Sequence, residues 1–443
     1  MKKKTIGIVL EFGFHDLKKY IYSGLGQKIG AHFDIVWLAI QKNSEEFHRL
    51  FSETGFPIIY FDNEDFISSS ITEGRNIAVR RAWMNKKKLG QFHNYRSLQI
   101  GRVKTRILGN NLLKNYFEKR TLRVVETRYV NREIEQILKS KKLDLIFTAG
   151  YSSSFAKSVI VTAFKNGLPS FLLINNWKDL YINNFIPFTF LSTIFVWDEG
   201  MKSDLLHHMT YLDPSKIIVS GNPVFDSLKK SSPEYDRQFY SGKYNISPNA
   251  DWLYYTMMSP LSGINEIEVV KCIGKEMAKE YNKEEKVILL RRNPQHSRND
   301  FIHAELPENV VLTDHYSYFD RIKDMHTQSP EGEQEWIDLL HHCALNLSVP
   351  STVTLEFLTL GKPVINIGFG PEGKPDQRLK QHFEAGFYKP LFKDERVKKA
   401  ERLGDLITAL NDCRKIIPKA ENTTSQQSAT DIIIQRLLED VNK

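Results

Sequence analysis

The sequence predicts an α/β chain of two doubly wound parallel sheets, and three observations predict it. Short apolar runs that read as buried strands alternate with segments of helical period along most of the 443 residues. These runs end again and again in Gly, Ser, Asn or Asp turns, which places a functional cleft along one sheet edge. Between two such series, Lys229 to Asp251 is rich in Ser, Pro, Tyr and charge and has no apolar period, as expected of an interdomain linker. The length suits two domains, each with its own core.

Composition narrows the class. A hydrophobic fraction of 41% and a charged fraction of 26% describe a globular chain in water. Cys272, Cys343 and Cys413 lie far apart with no Cys-x-x-Cys pair, which argues against a disulfide scaffold or zinc cluster and suits a reducing compartment. The apolar run after Met1-Lys-Lys-Lys is too short for a signal peptide. No segment offers the roughly eighteen apolar residues of a membrane span, the nearest being Phe185 to Trp197. A cytosolic protein is expected.

In chain order, Lys4 to Val9 is a strand leading into the Gly-centred loop Glu11-Phe-Gly-Phe-His-Asp16, and Leu17 to Ile29 has helical spacing. Glu11, His15 and Asp16 therefore sit at the ligand edge of an open sheet. Phe33 to Ile40 and Pro57 to Phe61 are further strands, with a helix over Glu45 to Glu53 between them. From about Asp62 to Lys142 the alternation lapses into a mainly helical insertion, with Val124 to Leu138 as its clearest helix. Arg75 to Lys142 holds 19 Lys/Arg against 4 Asp/Glu, while the net charge of the whole chain is only +8. An asymmetry of this size points to an anionic partner, either an acidic glycan or an anionic membrane surface met through residues 75–142. Arg80, Arg81, Lys86, Lys87 and Lys88 are the first contacts to consider. The plain alternative is a solvated helical face. Aromatics interleave the charges, but no nucleic-acid-binding pattern is present, and nucleic acid is not expected as a partner.

Regular alternation then resumes. Leu143 to Phe147, Pro169 to Asn175, Ile194 to Trp197 and Ile217 to Val219 are strands. They end in Thr148-Ala-Gly-Tyr-Ser-Ser-Ser154, Asn175-Asn-Trp-Lys-Asp-Leu180, Asp198-Glu-Gly-Met and Ser220-Gly-Asn-Pro-Val-Phe-Asp226. After the linker, Trp252 to Met257, Val287 to Leu290 and Val310 to Leu312 are strands, and Glu266 to Tyr281 and Glu335 to His342 are helices. Ala344 to Val349 is a strand, Pro350-Ser351-Thr352 a turn and helix start, and Gly361 a stop before the strand Pro363 to Ile367. Helices over Ala400 to Leu410 and Ser428 to Val441 close the chain. The helix starting at Ser351/Thr352 offers N–H groups and a positive dipole end to an anion, and Glu356, five residues on, can reach a hydroxyl attached to that anion. Phosphate at Ser351/Thr352 and ribose at Glu356 is one reading. A simple cap and a solvated carboxylate is the other.

The order of small polar turn, helix with Glu356, Gly361-Lys-Pro363 and buried strand resembles the nucleotide-binding half of GT-B glycosyltransferases and of UDP-N-acetylglucosamine 2-epimerases. Asn-x-Trp-x-x-Leu, Val-Trp-Asp-Glu-x-Met-Lys and Ile-Val-Ser-Gly-Asn-Pro-Val-Phe-Asp, between Ser170 and Asp226, resemble glycosyltransferases of bacterial surface-polysaccharide assembly. Arg291-x-Asn-Pro294 stands where glycerophosphotransferase- and epimerase-like chains carry Arg-x-His-Pro, with Asn293 in place of the His. The resemblance covers under half the chain and leaves the basic insertion unaccounted for. It implies two Rossmann-like domains facing across a cleft, residues 1–228 on the acceptor side and 251–420 binding the nucleotide sugar, with residues 421–443 packing back on the first.

For the site, the donor diphosphate is expected at Arg291, Ser351 and Thr352, with Glu356, Ser259 and Thr256 on the same edge. The base that takes the acceptor proton is expected at Asp16 or His15, with Glu11 in reserve. The chain lacks the Asp-x-Asp triplet that holds a metal in the other main glycosyltransferase fold, so metal-independent transfer is expected, with a nucleotide sugar as substrate and no separate cofactor. The function implied is transfer of a sugar to a lipid-linked or glycan acceptor in capsule, O-antigen or lipopolysaccharide assembly. A sugar-nucleotide 2-epimerase or hydrolase, or a polyol-phosphate transferase, is the alternative on the same fold.

Overall fold

The computed structural model describes the chain except residues 1–2, 12, 42–44, 63–65, 67–70, 88–101, 152, 178, 182–187, 261–263, 294–295, 297–300, 302–303, 314–328, 385–387, 417–426 and 442–443. The described residues fall into two compact units, the first drawn from residues 1–88, 100–227 and 425–443, the second from residues 228–424.

The first unit is built on seven parallel strands, β1 (Lys4–Leu10), β2 (Phe33–Ile40), β3 (Ile58–Phe61), β4 (Leu145–Thr148), β5 (Ser170–Leu173), β6 (Thr193–Val196) and β7 (Ile217–Val219), in the order β3-β2-β1-β4-β5-β6-β7. β1 is an interior strand and pairs with β2 and β4, Ile6 lying opposite Ile35 and Leu145. Its period of two divides two cores. Ile6, Ile8 and Leu10 face one with Leu17, Tyr20 and Trp37, and Val9 faces the other with Val36, Leu38, Phe155 and Val159. The expected helix Leu17 to Ile29 is two pieces, a π-helical Leu17–Tyr22 and an α-helix Leu25–His32, because the chain turns at Ser23-Gly24.

The helix Ala429–Val441 completes the first core with Ile433, Ile434 and Leu437. The Ser220–Asp226 turn receives it. Gly221 has φ +86, and a Cβ there would lie 3.2 Å from the Ala429 Cβ, while the Asp226 carboxylate accepts the Ala429 N–H.

The basic insertion is helical, over Ile71–Lys87, Arg102–Leu108, Asn111–Arg128 and Arg132–Ser140. Val124 to Leu138, expected as one helix, is interrupted at Asn131, whose side chain caps the last of these. Some of the charge points inward. Lys114 lies 3.2 Å from Glu118, Arg80 3.9 Å from it, and Lys157 3.0 Å from Glu73, all buried. Arg80 is thus part of the packing of this insertion, whereas Lys86 and Lys87 are exposed; Lys88 lies outside the described residues.

The second unit repeats the pattern with β8 (Asp251–Thr256), β9 (Lys286–Arg291), β10 (Val310–Leu312), β11 (Leu345–Ser348), β12 (Val364–Ile367) and β13 (Val397–Ala400), all parallel, in the order β10-β9-β8-β11-β12-β13. The stretch expected as a linker holds a helix, Arg237–Tyr244. It docks through polar and aromatic groups, which is why no aliphatic period betrayed it. The Arg237 guanidinium lies 4.0 Å from the Trp252 ring and donates to the Pro248 and His342 carbonyls, and the Tyr240 hydroxyl donates to Asp338 at 2.9 Å. β13, Val-Lys-Lys-Ala, is not among the expected strands, and Ala400, expected to open a helix, ends it, the helix running over Leu403–Arg414. The lysines of β13 are those of a charged edge strand.

Lys362 of the Gly-Lys-Pro turn reaches back to the end of the helix Pro330–His342. Its ammonium donates to the carbonyls of Leu340 at 2.8 Å, His341, and Cys343 at 2.7 Å. Burial draws its pKa down to about 8. Lys362→Met should therefore lower the stability of this unit by about 1.5–3 kcal/mol, seen as an earlier urea midpoint at unchanged slope. A wild-type midpoint would show that these carbonyls find other partners.

Candidate functional site

Parallel strands deliver their carboxyl ends to one edge, and in the second unit this gathers most of the expected donor residues. Thr256 ends β8 and is in register with Arg291 of β9 on one side and Ser348 of β11 on the other. Thr256 is buried, its Oγ1 accepting from the Asn346 amide at 3.1 Å, and the Ser348 hydroxyl donates to the same Asn346 at 2.7 Å. A satisfied polar layer thus underlies the edge.

Above it, the turn Val349-Pro-Ser351 leads into the helix Thr352–Thr359, with the Tyr388 hydroxyl donating to the Pro350 carbonyl at 2.6 Å. Ser351 occupies the N-cap position but makes no side-chain cap bond, and its Oγ is shielded from solvent with no hydrogen bond among the described residues. Ser153 and Ser329, at comparable helix starts, do cap, accepting from the N–H groups of Ala156 and Gly332. The start at Thr352 therefore keeps N–H donors that no serine takes up, which suits an anion.

Trp336 joins the remaining donor residues, and sequence reasoning passed over it. The Arg291 guanidinium lies 3.8 Å from the Trp336 ring centroid, and the indole N–H donates to Glu356 at 2.9 Å. Glu356 is 6% exposed, so it is a wall residue rather than a solvated one. No local pattern marks Trp336, a single aromatic on the acidic helix Pro330–His342. Ser259 follows β8 in a loop held on both sides at Met258. Glu266 accepts the Met258 N–H at 2.7 Å, and the His296 ring meets the Met258 carbonyl at 3.2 Å. Glu266 also accepts from the Tyr255 hydroxyl, and its burial raises its pKa to about 7.

In the first unit, the loop after β1 carries Glu11, His15 and Asp16. Asp16 is 1% exposed and its carboxylate accepts the Glu11 N–H at 2.7 Å. The Glu11 carboxylate accepts the Ser153 N–H and approaches Gly150 so closely that a Cβ there would collide with it. Both carboxylates thus organise the loop, while His15 is exposed. Lys19 and Tyr151 join this edge without having been singled out. Lys19 donates to the Asn175 side chain at 2.5 Å, and burial, opposed by Asp16 and Asp179, brings its pKa down to about 8. Burial and the nearby Asp179 push the Tyr151 phenol well up. Among the described residues no group of His, Cys, Asp and Glu is placed to hold a metal ion, and no helix is long and apolar enough to cross a membrane.

No protein-family model matches the sequence, and no curated protein matches it. Solved structures do match in fold. A UDP-GlcNAc 2-epimerase from Methanocaldococcus jannaschii superposes with a TM-score of 0.57 at 14% identity, over 99% of this chain and 100% of the other. A UDP-GlcNAc 2-epimerase from Neisseria meningitidis, solved with UDP-GlcNAc bound, gives 0.56 at 14% identity over 99% and 100%. A glycosyltransferase from Rickettsia africae gives 0.50 at 12% identity over 100% and 98%. The chain therefore has the two-domain, Rossmann-like GT-B fold found in these sugar-nucleotide enzymes.

The buried carboxyl of Glu266 gives a pH signature. Its folded-state pKa is raised from the ordinary 4.5 to about 7, so the folded protein binds this proton more tightly than the unfolded chain does. The stabilisation it supplies is complete below pH 4.5 and is lost as pH rises through 7. Compared with Glu266→Gln, the wild type should lose more stability over that interval, measured as thermal midpoint against pH. Parallel curves would contradict the assignment.

Proposed function

We propose that the chain is a glycosyltransferase that binds a nucleoside-diphosphate sugar on its second unit and passes the sugar to a lipid-linked or glycan acceptor in surface-polysaccharide assembly. The observation that carries this reading is the uncapped start of the helix Thr352–Thr359, on the same sheet edge as Arg291 and Glu356. In this reading the diphosphate lies against the Thr352 N–H groups, Ser351 and Arg291. Glu356, oriented by Trp336, takes a ribose hydroxyl, and Thr256 and Ser259 line the floor. As the glycosidic bond to the leaving phosphate breaks, negative charge grows on the diphosphate, where the N–H dipoles and the guanidinium stabilise it. The acceptor hydroxyl attacks the anomeric carbon and gives its proton to a base on the Glu11–Asp16 loop. His15, the exposed member, is assigned that role, while Asp16 and Glu11 hold the loop.

A second reading, a sugar-nucleotide 2-epimerase, is favoured by one observation: the matching structures include UDP-GlcNAc 2-epimerases from several organisms. An epimerase needs acid and base groups around the donor sugar and no acceptor. Lys19, Tyr151 and Asp179 are titratable groups on the first unit's edge that it would use.

Thermal stabilisation by a panel of UDP-, GDP-, CDP- and CMP-sugars identifies the donor. Arg291→Ala and Glu356→Ala should each weaken binding of that donor by roughly 1.5–3 kcal/mol, about ten- to a hundredfold, with the circular dichroism spectrum unchanged. Wild-type affinity in both variants would remove the donor site from this edge. His15→Ala should reduce turnover far more than donor affinity, since a base acts in the transition state. If turnover survives, the base is Glu11 or Asp16. A product epimeric at C2, formed from the nucleotide sugar with no acceptor present, would replace transfer by epimerisation.

A further inference from the structure

We infer that the corner between the helices Arg102–Leu108 and Asn111–Arg128 is a docking surface for an anionic lipid bilayer. The corner is well formed. Gly109 N–H donates to the Thr105 carbonyl, and the Asn110 side chain donates to the Ile107 carbonyl at 3.0 Å while accepting the Leu113 N–H at 2.8 Å. A Cβ on Gly109 would lie 2.7 Å from the Ala82 carbonyl oxygen, so the turn is packed against the helix Ile71–Lys87. On this closed corner three large apolar side chains face solvent, Ile107 at 61%, Leu112 at 83% and Tyr116 at 55% exposure. Single exposed apolar residues are ordinary, but three within ten residues around one corner form a patch.

The helix Asn111–Arg128 continues the patch with charge. At about 100° per residue, Leu112, Tyr116, Lys119, Arg120 and Arg123 fall within an arc of roughly 100°, and all five are exposed. The opposite face, with Lys114, Glu118, Thr121 and Val125, is buried. Glu118 is the sole carboxylate between residues 102 and 125, and it is turned inward to Lys114 and Arg80. Glu126, next on the helix, is paired with Lys165 at 2.6 Å. The exposed stripe is therefore apolar at its tip and purely cationic one to three turns further along.

A bilayer with anionic headgroups matches that order. Ile107 and Leu112 pass the headgroups into the acyl boundary, and Tyr116 sits at the interface, where aromatic rings with a polar tip are favoured. Lys119, Arg120 and Arg123 meet the lipid phosphates. A soluble polyanion such as nucleic acid or an acidic glycan satisfies the cations but leaves Leu112 and Ile107 in water. The inference stands apart from the nucleotide-sugar reading, since it uses none of the proposed site residues.

Sedimentation of the full chain with vesicles tests it. Wild-type protein should partition onto phosphatidylcholine vesicles containing about a third phosphatidylglycerol and not onto phosphatidylcholine alone. The triple variants Ile107→Ser/Leu112→Ser/Tyr116→Ser and Lys119→Gln/Arg120→Gln/Arg123→Gln should each weaken partitioning roughly tenfold or more, with unchanged circular dichroism and donor-induced stabilisation. Lys139→Gln/Lys141→Gln, which removes exposed charge away from the corner, should partition as wild type. Absence of wild-type binding to anionic vesicles overturns the inference, as does an apolar triple variant that binds them like wild type. An equal loss in the Lys139/Lys141 variant would assign binding to general basic charge and overturn it too. So would preferential binding to short DNA or an acidic polysaccharide that the apolar variant retains.

Discussion

The Lys362 ammonium, closed onto the last carbonyls of the helix Pro330–His342, fixes the element that carries Trp336, Asp338 and Glu335. From that helix Trp336 stacks under Arg291 and holds Glu356. Asp338 accepts from the Glu234 and Tyr235 N–H groups and from the Tyr240 hydroxyl, and Glu335 takes Lys243 and Tyr244. A rotation of this helix by one residue would displace the candidate donor edge and the Arg237–Tyr244 support together. Lys362 of the Gly-Lys-Pro turn thus acts as a bolt behind the candidate donor edge.

The first unit separates two uses of charge. Arg80 and Lys114 of the insertion are buried with Glu118, and Glu73 of the insertion is buried with Lys157 of the following helix and accepts the Tyr129 hydroxyl. Such pairs specify how the helices register more than they add stability, because each ion gives up its hydration on burial. His208 lies beside Arg80 and Lys114, and burial together with those cations brings its pKa down to about 3, so it stays neutral and adds no further positive charge. Lys86, Lys87, Lys119 and Arg123 on the same helices face solvent instead.

Strands were legible wherever a parallel sheet buries both faces, because apolar runs such as Lys4 to Val9 and Leu143 to Phe147 have no other stable setting. Elements that dock through polar groups were not. The helix Arg237–Tyr244 is held by Arg237 and Tyr240, and the edge strand Val397–Ala400 alternates with lysine, so neither carries an aliphatic period. Composition counted the insertion's cations but could not tell Arg80, turned inward, from Lys86, turned outward. At the candidate site, helix-start chemistry pointed to Ser351, Thr352 and Glu356, and the resemblance at Arg291-x-Asn-Pro294 pointed to Arg291. Trp336, which links two of them, comes from a helix distant in sequence, and only packing reveals it.

The helix Ala429–Val441 belongs to the first unit although it follows the whole of the second in sequence. During synthesis the ribosome therefore delivers the second unit before the first can close. Until then the apolar surface that will meet Ile433, Ile434 and Leu437 stays open, and the turn at Gly221 and Asp226 has nothing to receive. Surface left open in this way during synthesis is the kind that exposes a chain to aggregation and draws chaperones.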